Sequence, residues 1–106
     1  GLEGLGQTII EASLMKKPII ATNVGGIKDL IQDGKTGFLI QSGDESELTK
    51  KILFLLENNS KAEIMGKNAC LHIKKNFSWP KIALEFSRIM TKHSDLFITK
   101  KRNNNL

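Results

Sequence analysis

Residues 16–40 read KKPIIATNVGGIKDLIQDGKTGFLI, and this stretch decides the fold. Pro18 pushes Lys17 out of the helical region and so ends any helix that precedes it. Ile19, Ile20, Ala21 and Thr22 form a short, continuous apolar run, the pattern of a strand buried on both faces in a parallel sheet. Asn23, Val24, Gly25 and Gly26 make a turn. Residues 27–32 predict one or two helical turns with Ile27, Leu30 and Ile31 on one side. Asp33-Gly34 and Thr36-Gly37 mark a second turn, and Phe38, Leu39 and Ile40 a second short strand.

On the upstream side, residues 5–16 (LGQTIIEASLMK) predict a helix whose start is loosened by Gly4 and Gly6. Downstream the chain reads as helices only. Asp44 caps the first, with Glu47 three residues on in a capping-box arrangement, and Leu48, Ile52, Leu55 and Leu56 share one face. Asn58-Asn59 ends it. Ser60 caps the second, with Glu63 three residues on; Ile64, Met65, Ala69, Leu71 and Ile73 mark its buried side. After a break at Asn76-Phe77, Ser78 caps the third, with Pro80 in its first turn, where a missing N–H costs little. Ile82, Ala83, Phe86, Ile89 and Met90 face inward, and Phe77 and Trp79 pack this helix onto the domain. The order is that of an α/β fold, the second half of a Rossmann-like, doubly wound parallel sheet that ends in helices. Residues 1–96 form a partial Rossmann-like domain and 97–106 a basic polar tail. Two strands do not complete such a sheet. The expectation is therefore a C-terminal fragment, or a chain that completes its sheet with another.

Composition narrows the function classes. The chain has 106 residues, 40% hydrophobic and 25% charged, which suits one globular domain. No apolar run nears the roughly 18 residues a membrane span needs. One cysteine, Cys70, rules out an internal disulfide and a cysteine-rich zinc site; it fits a reducing, cytoplasmic compartment and reads as buried and inert. No signal pattern opens the chain. The net charge of +5 is uneven: residues 1–60 hold six Lys against eight acids, residues 61–106 ten Lys/Arg against three acids. That basic half reads either as solvated helix faces or as a surface for an anionic partner. An aromatic share of 6% without Tyr speaks against base stacking and hence against nucleic acid. His72 and His93 have no Cys or carboxylate at ligand spacing, so no metal is expected.

The chemistry concentrates in residues 3–12, EGLGQTIIEA. Glycines ahead of a helix allow close approach to the backbone. The free N–H groups of a first turn favour an anion such as phosphate, and Thr8 adds a hydroxyl. Glu3 and Glu11 would stand on either side of that anion. Carboxylates gain nothing by holding phosphate, but as pure acceptors they suit paired sugar hydroxyls. For Glu11, among Ile9, Ile10, Ala12 and Leu14, two readings stay open: a carboxylate on an exposed helix face, or a ligand-holding group.

EGLGQTIIEA resembles the E-x7-E signature of retaining GT-B glycosyltransferases of family 4. The likeness continues in register through the Lys-Pro, Gly-Gly and Asp-Gly…Thr-Gly elements of 16–40 and, more loosely, to Phe77-Ser78-Trp79. Asp29 stands where that family usually has Glu, and Lys16 where it often has Gly. The resemblance implies a GT-B C-terminal domain that binds a nucleotide-sugar donor and passes the sugar, with retention, to a glycan or lipid-linked acceptor. It implies that Glu11 holds the ribose hydroxyls and that Glu3 contacts the donor sugar as the catalytic carboxylate. The backbone of Gly4, Leu5 and Gly6, with Gln7 and Thr8, would meet the sugar and diphosphate. No cofactor or metal is implied, since basic side chains and helix N-termini neutralise the leaving diphosphate; the family's Arg and Lys for this lie upstream of Glu3. The acceptor domain would also lie upstream, so the chain would be a donor-binding part and not a catalyst alone. Gly25-Gly26 reads either as cleft lining or as a tight turn. Lys100, Lys101 and Arg102 read either as solvated or as a contact with anionic lipid at the inner face of a membrane. The alternative is a non-catalytic truncated remnant or nucleotide-binding module.

Overall fold

The computed structural model describes residues 2–92, and their side chains except at 2–4, 86, 89, 90 and 92. Seven elements follow in order: α1 (Leu2–Leu14), β1 (Ile19–Thr22), α2 (Ile27–Leu30), β2 (Gly37–Ile40), α3 (Glu45–Glu57), α4 (Asn59–Asn76) and α5 (Trp79–Lys92). β1 and β2 pair in parallel, with Ile19 opposite Gly37 and Thr22 opposite Ile40. This is the strand–helix–strand unit read from residues 16–40, in an α/β arrangement that ends in helices as expected. His93 and the tail at 97–106, with Lys100, Lys101 and Arg102, lie outside the described residues, as do the side chains of Phe86, Ile89 and Met90.

Two apolar clusters hold the unit together. Ile9, Ala21, Ile27 and Ile31 pack between α1, the sheet and α2, with Ile19, Val24 and Leu39 at the edge. Ile10, Leu14, Ile73 and Ile82 pack between α1, α4 and α5, with Phe77 at the edge. Leu30 touches both. α1 is the shared wall.

The ends of α1 differ from the expected 5–16 in both directions. The helix is already formed at Leu2, the first described residue, and takes Gly4 and Gly6 inside it. A glycine costs about 1 kcal/mol in a helix interior, a handicap that packing overrides: a Cβ at Gly6 would meet Leu30 Cδ1 at an ordinary 3.6 Å. At the other end Lys16 has φ 61°, while Lys16 N–H donates to Ser13 C=O and Lys17 N–H to Ala12 C=O. That pair of bonds is a Schellman cap, whose left-handed residue is usually glycine. The position where the resembled family often has Gly is thus one where the backbone favours it.

Other expectations are corrected by packing. α2 ends at Leu30, two residues early, because Ile31 turns extended. Asp44 Oδ1 accepts from Glu47 N–H at 3.0 Å, but Glu47 turns to Lys51 instead of completing the box. α4 begins one residue before Ser60, which lies inside its first turn. No α3 side chain is fully buried, and Leu48, Ile52 and Leu56 stay exposed. Only Ala21 of β1 is fully buried, and Ile19, Ile20 and Thr22 are half-buried. Ile64 and Leu71 of α4 face out while Gly66 and Cys70 face in. Ala83 is exposed, and Trp79 is 71% exposed, so Phe77 alone of that pair packs. Ser78 Oγ does accept from Lys81 N–H, at 3.4 Å.

Two substitutions test this account of α1. Lys16→Gly should raise stability by about 0.5–1 kcal/mol, by relieving the left-handed residue. A Cβ at Gly66 would overlap the Lys16 backbone, so Gly66→Ala should cost roughly 1–3 kcal/mol. Urea unfolding followed by circular dichroism reads both.

Candidate functional site

α1 carries every residue that the sequence singles out for donor chemistry. Ile9 is anchored in the sheet-side cluster, while Ile10 and Leu14 are anchored in the helix-side cluster. Anchors about 100° apart on a helix leave it no freedom to roll. The next residue, Glu11, is 9% exposed. The reading of Glu11 as a carboxylate on an exposed helix face is therefore excluded. One turn earlier Gln7 donates from Nε2 to Glu11 Oε1 at 3.5 Å, a long bond that keeps the two side chains together.

With α1 continuous from Leu2, positions 4, 7, 8 and 11 follow i, i+3, i+4, i+7 and so share one flank. Thr8 is exposed on that flank and Gln7 is half-buried. Position 3 lies about 12 Å of rise and about 80° from position 11, which puts both acidic positions toward the same side of the helix. The side chain of Glu3 lies outside the described residues. Leu5 and Gly6 fall off the flank; Gly6 turns to α2 and Leu5 is partly exposed. The arrangement places the buried carboxylate of Glu11 beside the polar side chains of Gln7 and Thr8 on one flank of α1, acceptor chemistry that suits a polyhydroxy group. Gly25 has φ 52°, which the turn itself requires.

Two buried polar side chains escaped sequence reading. Ser13 is fully buried on α1, and its Oγ has no hydrogen-bond partner among the described residues. Glu85 of α5 is 1% exposed. Arg88 Nη1 lies 3.0 Å and Lys81 Nζ 3.7 Å from its Oε1. The sequence signal for the second was present in the i, i+4 and i, i+3 spacing of Lys81, Glu85 and Arg88, but spacing does not tell whether such a trio faces inward. His72 Nε2 meets Asp29 C=O at 3.2 Å and its Nδ1 meets Asn76 Nδ2 at 3.1 Å, a structural clasp between α4 and α2. Among the described residues no three His, Cys, Asp or Glu side chains gather as a metal cluster, and no helix is long and apolar enough to cross a membrane.

Residues 1–72 match the family described as glycosyl transferases group 1. The chain is 43% identical over 96 residues to a trehalose synthase of Thermococcus litoralis, covering 91% of this chain and 20% of that protein. It is 37% identical over 76 residues to the capsular polysaccharide biosynthesis glycosyltransferase CapM of Staphylococcus aureus, covering 72% of this chain and 20% of that protein. Among solved structures, Anabaena Alr3699/HepE in complex with UDP-glucose superposes with a TM-score of 0.65 at 28% identity, covering 80% of this chain and 23% of that one. Sucrose-phosphate synthase of Thermosynechococcus elongatus gives a TM-score of 0.66 at 29% identity, covering 87% and 22%. The chain spans about a fifth of the length of the curated relatives it matches.

The hydroxyl of Ser13 lies two residues from Glu11 and takes no part in the site described. Burying an unpaired hydroxyl costs free energy, so Ser13→Ala should leave stability unchanged or raise it by up to about 1 kcal/mol. A loss of stability in thermal or urea unfolding would show that Oγ has a partner after all.

Proposed function

The chain belongs to the glycosyl transferases group 1 family, and from that premise we propose that it forms the donor-binding part of a retaining glycosyltransferase. The observation that carries the reading is the burial of Glu11 beside Gln7 on the flank that also holds Gly4 and Thr8. A carboxylate fixed by the packing of its own helix is pre-organised to accept from a vicinal diol without first losing rotamer entropy. We assign it the ribose hydroxyls of a nucleotide-sugar. The free amides at the start of α1 would face the diphosphate, and Glu3 would contact the sugar. Binding of UDP-glucose by the Anabaena neighbour makes a UDP-sugar the first donor to try.

In the reaction so assigned, the bond between the anomeric carbon and the diphosphate oxygen breaks and the nucleoside diphosphate leaves. An acceptor hydroxyl oxygen bonds to the anomeric carbon on the same face, and its proton passes to the departing diphosphate. The residues of this chain bind the donor and orient it. The helix end favours the negative charge that grows on the leaving oxygen. The basic groups and the acceptor surface would come from elsewhere in the protein, the acceptor being a glycan or a lipid-linked sugar. No metal is needed by this arrangement.

Calorimetric titration with UDP and UDP-glucose tests the assignment. Glu11→Gln should weaken binding of both by about 10- to 100-fold, the worth of about 1.5–3 kcal/mol for a hydrogen bond to a charged group, while the unfolding midpoint moves little. Addition of EDTA should leave the titration unchanged. Equal affinity in the variant and the parent would overturn the role given to Glu11.

A further inference from the structure

A second feature is built from elements other than α1 and shares no residue with the donor site. A cleft of about 470 Å³ opens between the 33–36 turn, β2, α3 and α4, and a second of about 360 Å³ adjoins it along α4. The two share Lys35 and Asn68 and so form one trough. Its cationic groups are Lys35, Lys50, Lys51, Lys61 and Lys75, and no Asp or Glu lines either part. Lys51 pairs with Glu47 at 3.3 Å; among the described residues Lys35, Lys50 and Lys61 enter no ion pair. The floor is apolar. Phe38 and Phe54 meet edge to face, with centroids 5.6 Å apart. The ammonium of Lys51 lies 4.6 Å from the Phe38 centroid and that of Lys61 5.5 Å from that of Phe54. Asn68 Nδ2 donates to the Lys35 carbonyl at 3.2 Å, fixing the turn to α4.

The rim distinguishes among anionic partners. Ile64 is 58% and Leu71 64% exposed, seven residues apart on α4 and so on one stripe. Lys61, Lys67, Lys74 and Lys75 are exposed around them. A nucleic acid would find lysines here but no free ring to stack on, because both phenylalanines are covered by each other and by ammoniums. A soluble phosphate would leave the two aliphatic side chains in water. Lysines interleaved with outward aliphatics, over a trough without acids, match an interface that is anionic at one depth and apolar a few ångströms further.

We infer that the α3–α4 face is a docking surface for an anionic lipid bilayer, with lipid phosphates in the Lys35–Lys50–Lys61 trough and Ile64 and Leu71 at the acyl boundary. Because the charge acts within a Debye length of the surface, binding should fall as salt rises.

Co-sedimentation of the 106-residue chain with large vesicles tests this. Vesicles of phosphatidylglycerol and phosphatidylcholine should retain the chain, and vesicles of phosphatidylcholine alone should not. The double variant Lys50→Glu, Lys61→Glu should bind at least tenfold more weakly. Ile64→Ser with Leu71→Ser should also weaken binding several-fold, and more so at high salt. All positions are at the surface; unchanged circular dichroism confirms that the variants fold. Removing residues 97–106 should leave the ratio of parent to variant intact. Equal binding to neutral vesicles, or variants that bind as the parent does, would overturn the proposal. So would a charge variant that loses affinity for vesicles and for inorganic pyrophosphate alike while the aliphatic variant loses nothing, since the trough would then be a soluble-anion site.

Discussion

The structure depends on α1 being wedged between two cores. Ile9 reaches into the cluster over the sheet, and Ile10 and Leu14 into the cluster under α4 and α5. A helix held on one side only can turn about its axis by a rotamer's width; one held on two sides cannot. The rigidity of α1 is supplied by these interlocking side chains. It extends to the C-terminal cap, where the α4 backbone at Gly66 comes against the backbone of Lys16. The position of Glu11 follows from this wedge, with Gln7 donating to it from one turn earlier.

The parts of the fold that were legible in the sequence are those fixed by short-range covalent rules. Pro18 stops a helix, Gly34 takes φ 81°, and the strands between such points could only pair in parallel with a helix between them. Asp44 and Ser78 were legible as caps for the same reason. Burial was legible only in part. The spacing of Leu48, Ile52 and Leu56 identifies a face, but it says nothing of whether an element exists to cover it. On α4 the inward side runs through Gly66 and Cys70 instead of Ile64 and Leu71, because only a residue without a side chain lets α4 approach Lys16. Gly4 and Gly6 suggest a loosened entry to α1 at Leu5, whereas Leu2–Gly4 are already helical, the cost of a glycine being small beside the packing of a whole helix.

The candidate site was legible as a set of residues and not as a geometry. Residues 3–11 pointed to an anion and a polyol; helical spacing gathers positions 4, 7, 8 and 11 on one flank, and Gly6 faces Leu30 of α2. The basic trough was not legible at all. Its lysines come from a turn, α3 and α4, and no linear pattern connects Lys35 with Lys50 and Lys61. Donor flank and trough are built from different elements. A protein with both would hold an activated sugar on one side while resting on a charged surface with another.

The central claim is that the buried flank of α1 is where a nucleotide-sugar meets this chain. Two-dimensional amide NMR of the labelled chain during addition of UDP-glucose addresses it residue by residue. The account predicts that shifts concentrate at residues 2–11, with Glu11 and its neighbours among the largest, and that α3 and α4 stay still. Shifts that gather around Lys50 and Lys61 while α1 is silent would contradict it.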